Sequence, residues 1–534
     1  MSSVIRKFRK LMTTPKSFCI DSNLYRPLIL VKKIISNKTG LAVRWLAKKN
    51  QVWAQKIIVH SFPQHLYHLT LYQARQYSIR QPHALLNGWE PKQLNAYLHL
   101  ERLNSQVKFL DRECEDTDID SVPSSMQFNG NVLMALHNSA PYDFAGYWHR
   151  TKSLISALQA NLFSVTCATR PGYPWDLQKH RALPVVECDQ VDGTNLYRLS
   201  ADDAAYKRGS DFNYVENYGK QLAELAKQKN CSVIHGHSNF LNGLAAIDGA
   251  RRIGVHCVYE ARGFWHITGL AKNPAYAKTD QFKYESKMEI LALEQSDKVV
   301  TLSDAMKDLI TSWGVDTDKI HVIPNGVDVE QFKAQACDSS LRSRWGDDRF
   351  VIGFIGSLTV YEGLSDLIAA VIQLNKQDYP VSLVVAGSGV VENDLQKSVE
   401  GHDYIHLVGR IPHYEVKNWY SSFDLCAYPR TDDVVCRYVP PMKVLEAMAM
   451  EIPVIVSDLA PLREMVEHKQ TGLICQPSNV HSLTETIDYA FNNRVQLKML
   501  GQQGRAWVCE HRTWVKNAER YRLMYQSLGE GILC

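Results

Sequence analysis

The sequence predicts an α/β protein built from two doubly wound, Rossmann-like domains facing each other across a cleft, preceded by a basic, mostly helical N-terminal extension. Three observations predict it. At 534 residues, 45% hydrophobic and 22% charged, the chain is too long for one compact core and too apolar for disorder. From about residue 128 short apolar runs alternate with amphipathic segments, the texture of parallel strands joined by crossover helices. A polar linker after the turn signal Asn325-Gly326 interrupts that texture once, and it then resumes, so the pattern is written twice.

The extension, residues 1–125, comes first. Residues 1–50 hold twelve Lys and Arg against one acid, Asp21, so the net charge of +4 conceals a net acidic remainder. In SVIRKFRKLM, Ile5, Phe8 and Leu11 or Met12 fall at helical spacing with Arg6, Lys7, Arg9 and Lys10 on the other face, and a second such region follows in LILVKKIISNKTGLAVRWLAKKN. Segments of this kind can lie on an anionic membrane surface, each cation contributing about 1 kcal/mol there; a solvated basic helix packed on the body is the plain alternative. Nucleic acid is not expected as a partner, because no recognition helix or stacking motif accompanies the charge.

The first doubly wound domain is expected over 126–335. Its strands read NVLMAL, SVTCAT, SVIHGH, VHCVYE, KVVTLS and HVIP, with a loop HNSAPYDFAGY and a helix from Trp148 after the first. The second is expected over 336–510, with strands FVIGFI, SLVVAG, IHLVG, DLCAYP, PVIVSD and TGLIC. Residues 511–534 read as a helix whose Trp514, Tyr521 and Tyr525 recur at helical spacing, a packing stripe rather than a sugar-stacking surface. The twelve cysteines show no C-x-x-C pair and no Cys/His cluster at zinc spacing, so a reducing cytoplasm and no metal are expected. No apolar run approaches the roughly 18 to 20 residues of a spanning helix, and no signal peptide is legible.

Two segments carry candidate chemistry. At 350–363 the strand FVIGFI runs into GSLTVYEG and then a helix, which places Gly356, Ser357 and Gly363 where free backbone N–H groups can receive a diphosphate; glycines that serve only the turn are the alternative. In RYVPPMKVLEAMAM, Pro440 and Pro441 stiffen the loop, and Lys443 and Glu446 share one helix face at i and i+3. A surface ion pair would also explain them, but Glu446 sits among Leu445, Ala447 and Met448, where an unpaired carboxylate is costly to bury.

Several motifs in order resemble one family: HGHS at 235–238, YEARG at 259–263, VIPNGVD at 322–328, GSLTVYEGL at 356–364, LVGRIPHYEV at 407–416, VPPMKVLEAMAM at 439–450, and SDLAPLREMV followed by TGLI. Over residues 130 to 530 the chain resembles the retaining glycosyltransferases of the two-Rossmann GT-B fold, family 4-like, in a variant branch with Pro-Pro-x-Lys before the LEAMA run. The resemblance implies a nucleotide-diphosphate sugar as donor, no cofactor and no metal, and a last helix crossing back onto the first domain. It implies that Glu446 accepts hydrogen bonds from the nucleotide ribose. A second family glutamate would fall at Tyr438, and the family's basic pair on the diphosphate at Ser357 and Glu362, so the pattern is broken at three places.

Lys443, Arg430, Arg410 and Arg437 are the candidates to replace the lost cations on the leaving group; a surface cap is the other reading of Arg410. His235 and His237 are implied beside the reacting sugar. His137 and Gly146 are expected on the acceptor side, with Glu260 and Arg262 as an ion pair shaping it or simply maintaining the fold. The expected function is retaining transfer to a glycan or lipid-linked glycan in bacterial surface or capsular polysaccharide synthesis, in the cytoplasm, at the membrane through residues 1–50. The alternative is a catalytically silent sugar-nucleotide or glycan-binding subunit of an assembly complex, and a phosphorylase or epimerase on the same fold is a third reading.

Overall fold

The computed structural model describes Ile79 and residues 94–111, 126–144, 146–200 and 209–528. The basic segments expected at a membrane surface, residues 1–50, lie outside the described residues. The chain divides into two compact units, a smaller one of residues 1–116, 207–212 and 276–284 and a larger one holding the rest. In the smaller unit the helix Leu94–Asp111 presents Phe109, whose ring meets Phe212 at 5.5 Å and Tyr284 at 5.7 Å. There the Tyr284 hydroxyl donates to Asp211 Oδ2 at 2.9 Å.

The larger unit holds two sheets. Strands β1 (Asn131–Leu136), β2 (Ser164–Thr169), β3 (Cys188–Val191), β4 (Thr194–Arg198), β5 (Val233–His237), β6 (His256–Glu260), β7 (Lys298–Thr301) and β8 (Ile320–Val322) form an eight-stranded sheet in the order β3-β4-β2-β1-β5-β6-β7-β8. Strands β9 (Phe350–Ile355), β10 (Val381–Ala386), β11 (Ile405–Gly409), β12 (Leu425–Tyr428), β13 (Val454–Ser457) and β14 (Leu473–Cys475) form a six-stranded sheet in the order β11-β10-β9-β12-β13-β14. All neighbours are parallel except β3 and β4. Parallel strands covered on both faces need unbroken apolar runs, and β9, β10 and β12 are buried at every residue. The antiparallel pair is not legible as strands in the sequence. It turns on Asp192-Gly193, both at positive φ (50° and 78°), a two-residue hairpin connection.

The segment between the two sheets is tied down by side-chain amides. Asn325 Nδ2 donates to the Pro440 carbonyl at 2.9 Å, and Asn517 Nδ2 donates to the Pro324 carbonyl at 2.8 Å. The helix Trp514–Gln526 packs on the helix Gly146–Ala160, so the chain's last described helix lies on the first sheet's side. Its Trp514, Tyr521 and Tyr525 are buried in one cluster with Trp148, Leu154 and Leu158. No described helix is long and apolar enough to cross a membrane, and the nine described cysteines are free.

The turn after β9 depends on a close approach. Gly363 has φ +70°, and a Cβ there would lie 1.8 Å from the Pro429 carbonyl oxygen, so the backbone after β9 touches the backbone after β12. Gly401 has φ +81° but nothing within 4 Å of its would-be Cβ. Gly363→Ala is therefore expected to cost about 3 kcal/mol or more, from strain plus collision, and Gly401→Ala about 1 kcal/mol from strain alone. Denaturant unfolding of both variants checks this; equal losses would contradict the contact.

Candidate functional site

The C-terminal ends of parallel strands collect loops, and loops from both sheets line a cavity of about 520 Å³. From the first sheet's side come Gly146, Tyr147 and Arg150, on the helix after β1, with Arg262 beyond β6 and Asn325 beyond β8. From the second come Gly356, Ser357 and Glu362 after β9, Arg430 after β12, and Lys443 and Glu446 on the helix Lys443–Ala449. Two imidazoles meet across it, His149 and His413, with ring centroids 4.2 Å apart. Burial first, then His413 and Lys152, push His149 down to about 4.

On the second sheet's side the charge is organised around one acid. Glu362 is 4% exposed, and its carboxylate accepts from Lys443 Nζ at 2.6 Å and Arg430 Nη2 at 3.0 Å. Burial alone would raise its pKa, but Lys443 and Arg430 outweigh it and hold the carboxyl at about 2. Burial lowers Lys443 to about 8, against the pull of Glu362. The ammonium lies over the Phe354 ring at 4.1 Å, and a Cβ on Gly356 would sit 3.0 Å from Nζ, so Lys443 stands against the turn read as a diphosphate seat. Among the described residues no cation is bonded to Glu446, which accepts a 3.3 Å bond from the Tyr420 hydroxyl. Burial raises it to about 7.

On the first sheet's side a second acid is wholly buried. Glu260 is 0% exposed; its Oε1 accepts from Arg150 Nε at 3.0 Å and Arg262 Nε at 2.6 Å, and its Oε2 accepts from the Tyr521 hydroxyl. Burial pushes this carboxyl up, but Arg262 and Arg150 hold it well below the usual carboxylate range. Arg262 also donates to His237 Nδ1 at 2.6 Å and to Thr151 Oγ1 at 2.7 Å, and Arg150 donates to Asn325 Oδ1 at 3.0 Å. His235 Nδ1 meets the Tyr525 hydroxyl at 2.6 Å. Burial keeps both histidines neutral, lowering His235 to about 4 and pushing His237 well below its ordinary value.

His235, His237 and Glu260 bring three ligand-type atoms within 4.8 Å of one another. The donor set is a poor cation site, because Arg150 and Arg262 already neutralise the carboxylate and Tyr521 holds its other oxygen.

The structure thus brings Gly146, Arg262, Gly356, Ser357, Glu362, Arg430, Lys443 and Glu446 to one cavity. Other candidates stand elsewhere. Arg437 is exposed and paired with Asp432 at 2.6 Å; Arg410 is exposed just past β11 and does not line the cavity. Tyr438 does not line it either, and its carbonyl accepts from Ser303 Oγ at 2.7 Å. Gly363 lies behind the turn. His235, His237 and Glu260 are fully buried beneath the wall that Arg262 presents. His137 meets Asn239 Nδ2 at 3.1 Å and the Trp265 ring at 5.9 Å, outside the cavity lining.

Sequence reasoning missed Arg150, Asn325 and the His149–His413 pair. The one available signal was VIPNGVD, read as a turn although its Asn325 bridges to Pro440.

Comparison with known proteins agrees in both halves. Residues 146–331 match the model described as Glycosyltransferase Family 4, and residues 340–507 match that described as Glycosyl transferases group 1. An uncharacterized glycosyltransferase of Methanocaldococcus jannaschii is 26% identical over 357 residues, 64% of this chain and 88% of that protein. A capsular polysaccharide biosynthesis glycosyltransferase of Staphylococcus aureus is 26% identical over 235 residues, 41% of this chain and 59% of that protein. Among solved structures, Anabaena HepE in complex with UDP-glucose superposes with a TM-score of 0.57 at 16% identity, covering 74% of this chain and 100% of that one.

The Glu446 carboxyl sets a pH dependence. The unfolded group titrates near 4.5 and the folded one near 7, so between those values the folded state holds a proton the unfolded state has released. Folding therefore loses stability as pH rises through that interval. Glu446→Gln removes this loss: its gain in melting temperature over wild type should widen from pH 4.5 to 7 and then level. A gain independent of pH would contradict the burial.

Proposed function

We propose that this chain, which belongs to the family 4-like glycosyltransferases of the GT-B fold, moves a sugar from a nucleotide-diphosphate donor to a glycan acceptor with retention at the anomeric carbon. The observation that carries this reading is the single cavity in which Gly356, Ser357, Lys443, Arg430 and Glu446 converge opposite Gly146 and Arg262. Glu446 receives the ribose hydroxyls, since one carboxylate offers acceptors to two adjacent hydroxyls. Lys443 and Arg430 face the diphosphate, where negative charge grows as its bond to the sugar breaks.

In the step itself the bond from the anomeric carbon to the phosphate oxygen breaks and the acceptor oxygen bonds to that carbon on the same face. The acceptor's proton passes to the departing phosphate oxygen, so no separate base is required, and catalysis is positioning plus charge stabilisation. The two cations supply that charge, and the reading invokes no metal or cofactor. His237 is a positioning residue, holding Arg262 through its Nδ1. Tyr525 holds His235.

The basic residues 1–50 favour an anionic membrane surface and thus a cytoplasmic, peripheral setting near a lipid-linked acceptor. The relative named for capsular polysaccharide biosynthesis supports a surface-polysaccharide role. A silent binding subunit is the second reading, favoured by Glu362 engaging both cations.

Thermal stability of the purified chain against a panel of nucleoside diphosphates and their sugar conjugates tests the donor site, because binding to the folded state raises stability with the logarithm of ligand over its dissociation constant. A rise with one conjugate, lost in Glu446→Ala, is expected. No shift at millimolar concentrations would overturn the donor reading. Binding without any turnover, with partner binding intact in Glu446→Ala, would favour the silent subunit.

A further inference from the structure

The Glu362 carboxylate lines the same cavity as the two cations assigned to the diphosphate, and it is bonded to both. We propose that Glu362 is an internal counter-anion against which the donor's diphosphate competes for Lys443 and Arg430, so that this one carboxylate sets how tightly nucleotide is held. The proposal rests on the reading of this cleft as a diphosphate site and deepens it.

The geometry makes the competition direct. Lys443 Nζ stands beside Gly356 on one side and 2.6 Å from Glu362 Oε2 on the other. Arg430 is 7% exposed and spends Nη2 and Nε on Glu362, with Nη1 on the Val439 carbonyl at 2.9 Å. An ammonium that turns to a phosphate oxygen must share or leave a charge-assisted bond, and it approaches with the repulsion of a carboxylate beside it. One buried anion between two cations leaves the seat with a single net positive charge. A nucleoside diphosphate is then held weakly enough to leave after transfer, while the same carboxylate keeps Lys443 in the cavity wall.

A carboxylate that merely orients Lys443 would behave differently when neutralised. Among the described residues, the charged and titratable groups facing Lys443 are Glu362 after β9, Tyr428 at the end of β12, Arg430 beyond it, Cys436, and Glu446 on its own helix. Of these, Glu362 is the group that favours the protonated lysine most strongly. Removing its charge should tighten nucleotide binding at pH 6, where Lys443 keeps its proton. It should also let Lys443 lose its proton at lower pH, so that binding fades earlier as pH rises.

Titration calorimetry on the full chain, with uridine, guanosine and adenosine diphosphates and inorganic pyrophosphate as probes, tests this. At pH 6, Glu362→Gln should bind the preferred diphosphate about tenfold more tightly than wild type, and Lys443→Met about tenfold more weakly, the scale of one charge-assisted hydrogen bond. The pH at which affinity falls should move down in Glu362→Gln. Glu362→Asp, which keeps the charge but draws it back from Lys443, should tighten binding by a smaller factor and serves if the glutamine variant fails to fold. Equal or weaker binding in a folded Glu362 variant, with the pH midpoint unmoved, would overturn the proposal while leaving the donor site standing. If no probe binds wild type at millimolar concentration, the donor reading falls and this proposal with it.

Discussion

Glu260 is a carboxylate without access to water, and such a charge is tolerated only when strong partners replace its hydration. Here they are Arg150, Arg262 and Tyr521, drawn from three separate stretches of chain. Each partner is in turn committed elsewhere: Arg150 to Asn325 and the carbonyls of Ile323 and Pro324, Arg262 to His237 and Thr151, and Tyr521 to the helix that packs back on the first sheet's side. Because Asn325 also reaches the Pro440 carbonyl, the cluster extends from β6 to the loop that precedes Lys443. The cavity wall presented by Arg262 and the approach of the second sheet's loop both depend on it.

The other side of the cavity repeats the arrangement with the balance altered. Glu362 stands between Lys443 and Arg430, but this triad lines the cavity, whereas Glu260 lies wholly beneath it. Both clusters hold two cations on one anion. The buried one gives rigidity, since Arg150 and Arg262 are also fixed by bonds to Asn325, Thr151 and His237. The one lining the cavity gives a seat whose positive charge is already partly spent, which suits the proposed binding, stabilisation and release of a diphosphate.

The fold was legible because parallel strands buried on both faces have to be written as continuous apolar runs. FVIGFI and NVLMAL coincide with β9 and β1. The β3–β4 hairpin was not, because over only four or five positions β3 alternates exposed with half-buried residues and β4 buried with exposed or half-buried ones, and its Asp192-Gly193 signal stood among loop residues. In the site, Lys443 and Glu446 could be placed from helical spacing and proline punctuation. Arg150 could not: in HRTKS it reads as the solvent face of an amphipathic helix, and it turns inward to Glu260, Asn325 and the Ile323 and Pro324 carbonyls, all far along the chain. Glu362 was visible as a departure from the family pattern, but its bonds to both cations join chain positions far apart, and nothing local in the sequence announces them.

The most direct measurement is a double-mutant cycle on unfolding free energy with Glu260→Gln and Arg150→Met. Each single change should cost about 3–5 kcal/mol, because it strands a buried charge, whereas the pair together should cost clearly less than their sum, by more than about 1 kcal/mol. Additivity within about 0.5 kcal/mol would contradict the account, since it would mean that the two charges do not depend on each other and that the junction is held by packing alone.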